Sequence, residues 1–115
     1  MTMSPTQLSL RKLREEGWTC QIVEVWNPHV RIRQDLFGFI DIVALRPGET
    51  LAVQTTSRGG MSARLKKIAD HPNLPAVREA GWRIEVHGWT QKKPRAPWEC
   101  RTVDVSRPQQ RGGQR

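Results

Sequence analysis

Apolar residues recur along this chain with two different periods, and the places where one period gives way to the other mark the predicted elements. From Phe37 to Leu45 the sequence reads Phe-Gly-Phe-Ile-Asp-Ile-Val-Ala-Leu, a nearly unbroken apolar run that predicts a central strand buried on both sides. The next run, Leu51 to Thr56, reads Leu-Ala-Val-Gln-Thr-Thr, and the link Arg46-Pro47-Gly48-Glu49-Thr50 suits a hairpin between adjacent antiparallel strands. Upstream, Trp18 to Trp26 predicts a first strand that stops at Asn27-Pro28.

Helical spacing governs the flanks. Ser4-Pro5-Thr6-Gln7 predicts a helix start, with Ser4 as N-cap, Pro5 at the first helical position and Gln7 placed to complete a capping box. This helix runs to about Glu16, with Leu10 and Leu13, extended by Leu8, as its apolar stripe and Gly17 as its stop. After a flexible turn at Ser57-Arg58-Gly59-Gly60, the recurrence of Met61, Leu65, Ile68 and Ala69 predicts a second helix that breaks at His71-Pro72. A short helical piece from about Pro75 to Ala80 ends at Gly81, and Trp82 opens a strand to about Trp89. A Lys-, Arg- and Pro-bearing connector, Thr90 to Pro97, leads to an edge strand from Trp98 to Val105. Residues 1–106 form one predicted domain, and 107–115, with no apolar residue, a disordered basic tail.

Composition adds a partner class. Nineteen Lys and Arg against eleven Asp and Glu give a formal charge of +8, which in 115 residues favours a polyanion, with nucleic acid as the leading candidate. The cations are spread over helices, loops and tail rather than along one helix face, which argues against a membrane surface. With no run long enough to span a bilayer, a cytoplasmic location is expected. Cys20 and Cys100 stand alone and are expected reduced, and His29, His71 and His87 lack the paired spacing of zinc ligands.

Asp41 is the only charged side chain between Phe37 and Leu45. An unpaired buried charge costs several kcal/mol, so this carboxylate must meet a cation, a metal or hydrogen-bond donors. In the hairpin the late part of the second strand pairs with the early part of the first, and period two puts Gln54 and Thr56 on one face, converging on Asp41. Arg31, Arg33 and Asp35 make a polar, cationic approach to it.

The order helix, three strands, helix, strand, with Asp41-Ile42-Val43-Ala44 followed by Val53-Gln54-Thr55-Thr56, resembles the core of the PD-(D/E)XK nuclease superfamily, especially its small Holliday-junction-resolvase-like and phage nuclease-like members. The resemblance covers roughly Ser4 to Trp89. It implies an α/β fold with a central mixed β-sheet flanked by helices, the restriction-endonuclease-like αβββαβ core, to which a C-terminal edge strand is added. In that superfamily an Asp stands early in the second strand, and an acid-x-Lys triplet ends the third. Bound Mg2+ or Mn2+ polarises a phosphate and acidifies water while the Lys orients that water or stabilises developing charge.

Carried over by residue, Asp41 would be the principal metal ligand, Gln54 would supply an amide oxygen and Thr55 its carbonyl, and Thr56 takes the place of the catalytic Lys. Gln54 and Thr56 thus depart from the pattern. The missing cation is expected from Lys66 or Lys67 on the second helix, or from Arg31 or Arg33. The bland alternative makes Lys66 and Lys67 a solvated or phosphate-contacting face, alongside Arg58 and Arg64. The helix acid of many relatives falls at Gln7, Glu15 or Glu16, according to register. The implied function is a Mg2+-dependent DNA endonuclease acting on branched or nicked DNA. The alternatives are a non-catalytic DNA-binding module on the same fold, or an interaction subunit of a phage or mobile-element assembly whose tryptophans and edge strand mediate oligomer contacts such as a homodimer.

Overall fold

The computed structural model describes residues 3–108. Helix α1 (Pro5–Glu15) begins where expected: Ser4 Oγ accepts from the Gln7 N–H at 3.2 Å, Pro5 occupies the first turn, and Gly17, at φ +90°, lets the chain leave the helix. The chain then forms β1 (Thr19–Ile22), β2 (Val25–Asn27), β3 (Ile32–Gln34), β4 (Ile42–Arg46) and β5 (Glu49–Ser57). A 3-10 turn (Arg58–Gly60) leads into α2 (Met61–Ala69) and α3 (Leu74–Glu79), followed by β6 (Arg83–Gln91) and β7 (Trp98–Asp104).

The main sheet is mixed, five-stranded and ordered β1-β4-β5-β6-β7, so the protein is an α/β fold. β1, β4 and β5 are antiparallel neighbours, β6 runs parallel to β5, and β7 closes the edge antiparallel to β6. The parallel step needs a crossover, which α2 and α3 provide. Arg46 pairs with Glu49 around Pro47-Gly48, so the hairpin turn is two residues long.

Each face of the sheet has its own core, and β5 shows the division. Leu51 and Val53 pack with Leu13, Trp18, Ile42 and Ala44 on the α1 side. Ala52, between them in sequence, packs with Met61, Ile68, Leu74 and Val77 on the side of α2 and α3. The same alternation continues into the polar end of the strand, where Gln54 follows Ala52 and Thr55 follows Val53. At Gly88 of β6 an added Cβ would fall 2.1 Å from Met61 Sδ, so the bare backbone there lets the start of α2 lie against the sheet.

A buried polar chain ties α1 to β6. Trp89 Nε1 donates to Ser9 Oγ at 2.8 Å, and Ser9 Oγ lies 2.9 Å from His87 Nδ1. On its other side His87 Nε2 lies 3.0 Å from a carboxylate oxygen of Glu85. His87 and then Arg83 hold the Glu85 carboxyl below its usual range against the opposing effect of burial.

Two predicted strands are redrawn. The expected strand Trp18 to Trp26 splits, because pairing with β4 ends at Ile22↔Ile42 and only the Val23 N–H continues, to the Asp41 carbonyl. Residues 25–27 instead pair with 32–34 in a separate antiparallel ribbon. The expected strand Phe37 to Leu45 starts late: Phe37 (φ +55°) and Gly38 (φ +90°) form a turn closed by a Leu36↔Ile40 bridge. His71 packs against that turn so closely that a Cβ on Gly38 would fall 2.4 Å from its Nε2. Phe39 and Ile40 are fully buried all the same, whereas Phe37 and Leu45 are about half exposed. Of the expected tail, residues 109–115 lie outside the described residues.

Among the described residues no helix is long and apolar enough to cross a membrane.

Candidate functional site

Asp41 immediately precedes β4, and its backbone is pinned on both sides. Its N–H donates to the Val53 carbonyl at 2.9 Å, and its carbonyl accepts from the Val23 N–H at 2.8 Å. The side chain is buried, and its Oδ2 accepts three hydrogen bonds: from Gln54 Nε2 at 2.8 Å, from the Thr55 N–H at 2.8 Å and from Thr55 Oγ1 at 3.2 Å. The donors required by the burial of this carboxylate therefore come from β5. The Thr55 hydroxyl also lies 2.8 Å from the Thr6 hydroxyl on α1, which ties the helix start to the same point.

Two further carboxylates join it. Glu24 and Asp35 stand at the base of the β2–β3 ribbon, flanking its first pair Val25↔Gln34, and an oxygen of each lies within 4.8 Å of the others and of an oxygen of Asp41. Arg33 forms an ion pair with Glu24. Burial is the largest influence on Asp41 and pushes its pKa from 3.8 to about 7; the Thr55 N–H opposes this, and the negative charge of Asp35 adds to it.

These groups line a cleft of about 540 Å³. Pro5 and Thr6 of α1 form one wall, Glu24, Arg33 and Asp35 of the ribbon a second, and Gln54 to Ser57 of β5 the floor beside Asp41. Arg64 and Lys67 of α2 complete it, their spacing of three placing them on one side of the helix. A separate hollow of about 270 Å³ near α2, α3 and β7 is lined chiefly by Leu65, Ile68, Leu74, Val103, Arg78 and Arg101 and shares none of these residues.

The sequence-derived candidates fall into place unevenly. Asp41, Gln54, Thr55 and Thr56 come together, and it is Thr55 rather than Thr56 that bonds Asp41, through its N–H and its hydroxyl. Thr56 lies in the cleft floor near Gly60, where a Cβ would meet its Oγ1 at 2.5 Å, and it brings no charge. Of the two lysines expected to bring that charge, Lys67 lines the cleft and Lys66 does not. Arg33 and Arg64 line the cleft; Arg31 (φ +55°) sits exposed in the ribbon turn and Arg58 on the 3-10 turn, both outside it. None of the proposed helix acids faces the site: Gln7 lies at the capped start of α1, Glu15 lines a groove with Trp89 and Trp98, and Glu16 pairs with Lys12. Thr6 holds that place.

Glu24 and Asp35 are not among the expected site residues, because the expected strand Trp18 to Trp26 runs straight through Glu24. The signal that finds them is the Asn27-Pro28 turn between Val25-Trp26 and Ile32-Arg33, which predicts a hairpin and so brings residues 24 and 35 side by side.

The donor set fits a hard divalent cation. Three carboxylates converge, and Gln54 Oε1 is buried yet takes no hydrogen bond, the one such side-chain atom among the described residues. An orphan acceptor costs about 1–3 kcal/mol, and a cation drawn to oxygen ligands would relieve both the orphan and the repulsion among the acids. Comparison of the chain with protein-family models, with curated proteins and with solved structures yields no match.

Proposed function

We propose that the protein is a Mg2+- or Mn2+-dependent DNA endonuclease whose working site is the cleft around Asp41. The observation that carries this reading is the meeting of Glu24, Asp35 and Asp41 beside the unpartnered Gln54 Oε1, in a cleft that also holds Arg64 and Lys67. Carboxylates alone would repel a phosphodiester; the two cations on α2 give its oxygens a place to bind. A divalent ion held by Asp41, Glu24, Asp35 and Gln54 Oε1 would supply the charge that polarises the phosphodiester and acidifies water.

The remaining roles belong to the chain. Gln54 Nε2 and the Thr55 N–H orient Asp41, and Thr6 fixes the Thr55 hydroxyl. Lys67 takes the part left open by Thr56, binding the phosphate and stabilising charge that develops on it. The formal charge of +8 supports a nucleic-acid substrate, and Arg31 and Arg58, exposed outside the cleft, would follow its backbone.

The deciding experiment incubates linear, nicked and four-way-junction DNA with wild type and with Asp41→Ala in Mg2+ and in Mn2+. Cleavage by wild type that disappears in the variant is the expected result. Salt-sensitive binding with no cleavage of any substrate would replace this reading with a DNA-binding module on the same scaffold.

A further inference from the structure

The β2–β3 ribbon carries more than Glu24 and Asp35. In its register Trp26 is the partner of Arg33. The next pair inward, Val25↔Gln34, points to the opposite side, and the pair after that is Glu24 and Asp35. Trp26 therefore shares a ribbon face with Glu24, Arg33 and Asp35, all three of which line the cleft, and stands two residues further out, about 7 Å along the strand. Its indole is 55 % exposed. The other four tryptophans are better covered: Trp18 and Trp89 are buried, and Trp82 and Trp98 are no more than 36 % exposed. A half-exposed indole whose cross-strand partner is Arg33, on the ribbon face that leads into the cleft, matches the combination that holds single-stranded nucleic acid: cations for the backbone and a flat aromatic for the base.

Building on the endonuclease reading, we propose that Trp26 is a stacking platform for an unpaired base next to the phosphodiester bound in the cleft. The site then selects DNA that carries unpaired bases, such as flaps, gaps and open junctions, over continuous duplex. A paired base presents its edges to the grooves and keeps its faces stacked on its neighbours, so it offers Trp26 nothing to cover; an unpaired base offers a whole face. Arg33, tethered to Glu24, and Arg31 in the ribbon turn supply the charge that favours a nucleic-acid strand over an apolar protein surface at this place.

The test measures binding of a fluorescein-labelled 5′-flap duplex and of the same duplex fully paired, in Ca2+, by anisotropy, for wild type, Trp26→Ala and Trp26→Phe. Sedimentation velocity is run on each protein. Trp26→Ala is expected to lower affinity for the flap about tenfold more than affinity for the paired duplex, with Trp26→Phe retaining most of the preference. An equal loss on both substrates, or no loss on either, overturns the proposal. So does a shift of Trp26→Ala to a smaller oligomer, which would make the ribbon a contact between copies of the chain. A wild type that prefers the flap through Trp26 yet cleaves nothing leaves this inference standing and removes only the nuclease reading, whereas cleavage indifferent to Trp26 does the reverse.

Discussion

Gln54 Nε2 donates to Asp41 Oδ2 at 2.8 Å, while the Oε1 of the same amide is buried without a hydrogen-bond partner. Half of the amide stabilises the carboxylate and half is buried unsatisfied within the same side chain, an arrangement that favours a cation beside it. Gln54→Glu should therefore behave oppositely with and without metal. In EDTA a fourth carboxylate beside Glu24, Asp35 and Asp41 lowers stability, on the order of 1–3 kcal/mol from the lost bond and the added repulsion. In Mg2+ the extra ligand recovers most of that loss. Thermal melts of both proteins in EDTA and in MgCl2 check this; a deficit that Mg2+ leaves unchanged would show that position 54 is not a ligand.

The raised pKa of Asp41 gives the fold a definite pH dependence. An acid whose pKa climbs from 3.8 unfolded to about 7 folded holds its proton more tightly in the native state. Its favourable contribution is complete below 3.8, declines as the unfolded chain ionises first, and is gone once the pH passes 7. Asp41→Asn removes this decline, so its melting temperature should fall less than that of wild type between about pH 4 and about pH 7. In metal-free buffer near pH 8 the variant should be the more stable protein, and it should lose the Mg2+-induced rise that wild type shows there. A variant that melts in parallel with wild type across the range would mean that Asp41 titrates normally.

Much of the scaffold was legible because its signals are local. Ser4-Pro5 marks the start of α1, the apolar runs around Asp41 and Gln54 mark β4 and β5, and Pro47-Gly48 marks the turn between them. The ribbon is hidden because Val23 to Trp26 extend the apolar-rich composition of β1, and the one local sign that pairing with β4 ends at Ile42 is a break in the alternation, where Ile22 and Val23 are both apolar. The register that brings Asp41 to Gln54 follows from the hairpin. The choice between Lys66 and Lys67 does not, since it depends on how α2 is rotated against the sheet by the seating of Met61 beside Gly88. Thr6 is silent in the sequence for a different reason: the resemblance calls for a charge on α1, and the side chain that reaches the site is a hydroxyl.

Lys66 and Lys67 are adjacent, alike in chemistry and both exposed, so they make a sharp comparison. Only Lys67 lines the cleft. Lys67→Ala should lower the cleavage rate roughly 100- to 1,000-fold, the scale for removing one group that stabilises transition-state charge, and Lys66→Ala only a few-fold. Arg64→Ala is expected to weaken DNA binding and flatten its salt dependence by about one phosphate contact. Single-turnover cleavage separates the two effects. Equal rates for the two lysine variants would place the missing positive charge elsewhere.

The chain Trp89–Ser9–His87–Glu85 has the residue types of a hydrolase triad, and its burial assigns it a different role. Ser9 is completely buried and its oxygen already accepts the Trp89 indole proton, so no substrate reaches it. What it does is fasten the middle of α1 to β6, one turn after Thr6 meets Thr55 at the cleft. Ser9→Ala leaves both Trp89 Nε1 and His87 Nδ1 without their partner, at about 1–3 kcal/mol for each orphaned group. The variant should unfold at clearly lower urea with an unchanged slope, and wild type should not be labelled by a serine-directed fluorophosphonate. Because α1 carries Thr6, the remaining folded variant should also orient Thr55 less firmly, lowering cleavage at temperatures where the protein is still native. Labelling of Ser9 in the wild type, or full stability in Ser9→Ala, would contradict this role.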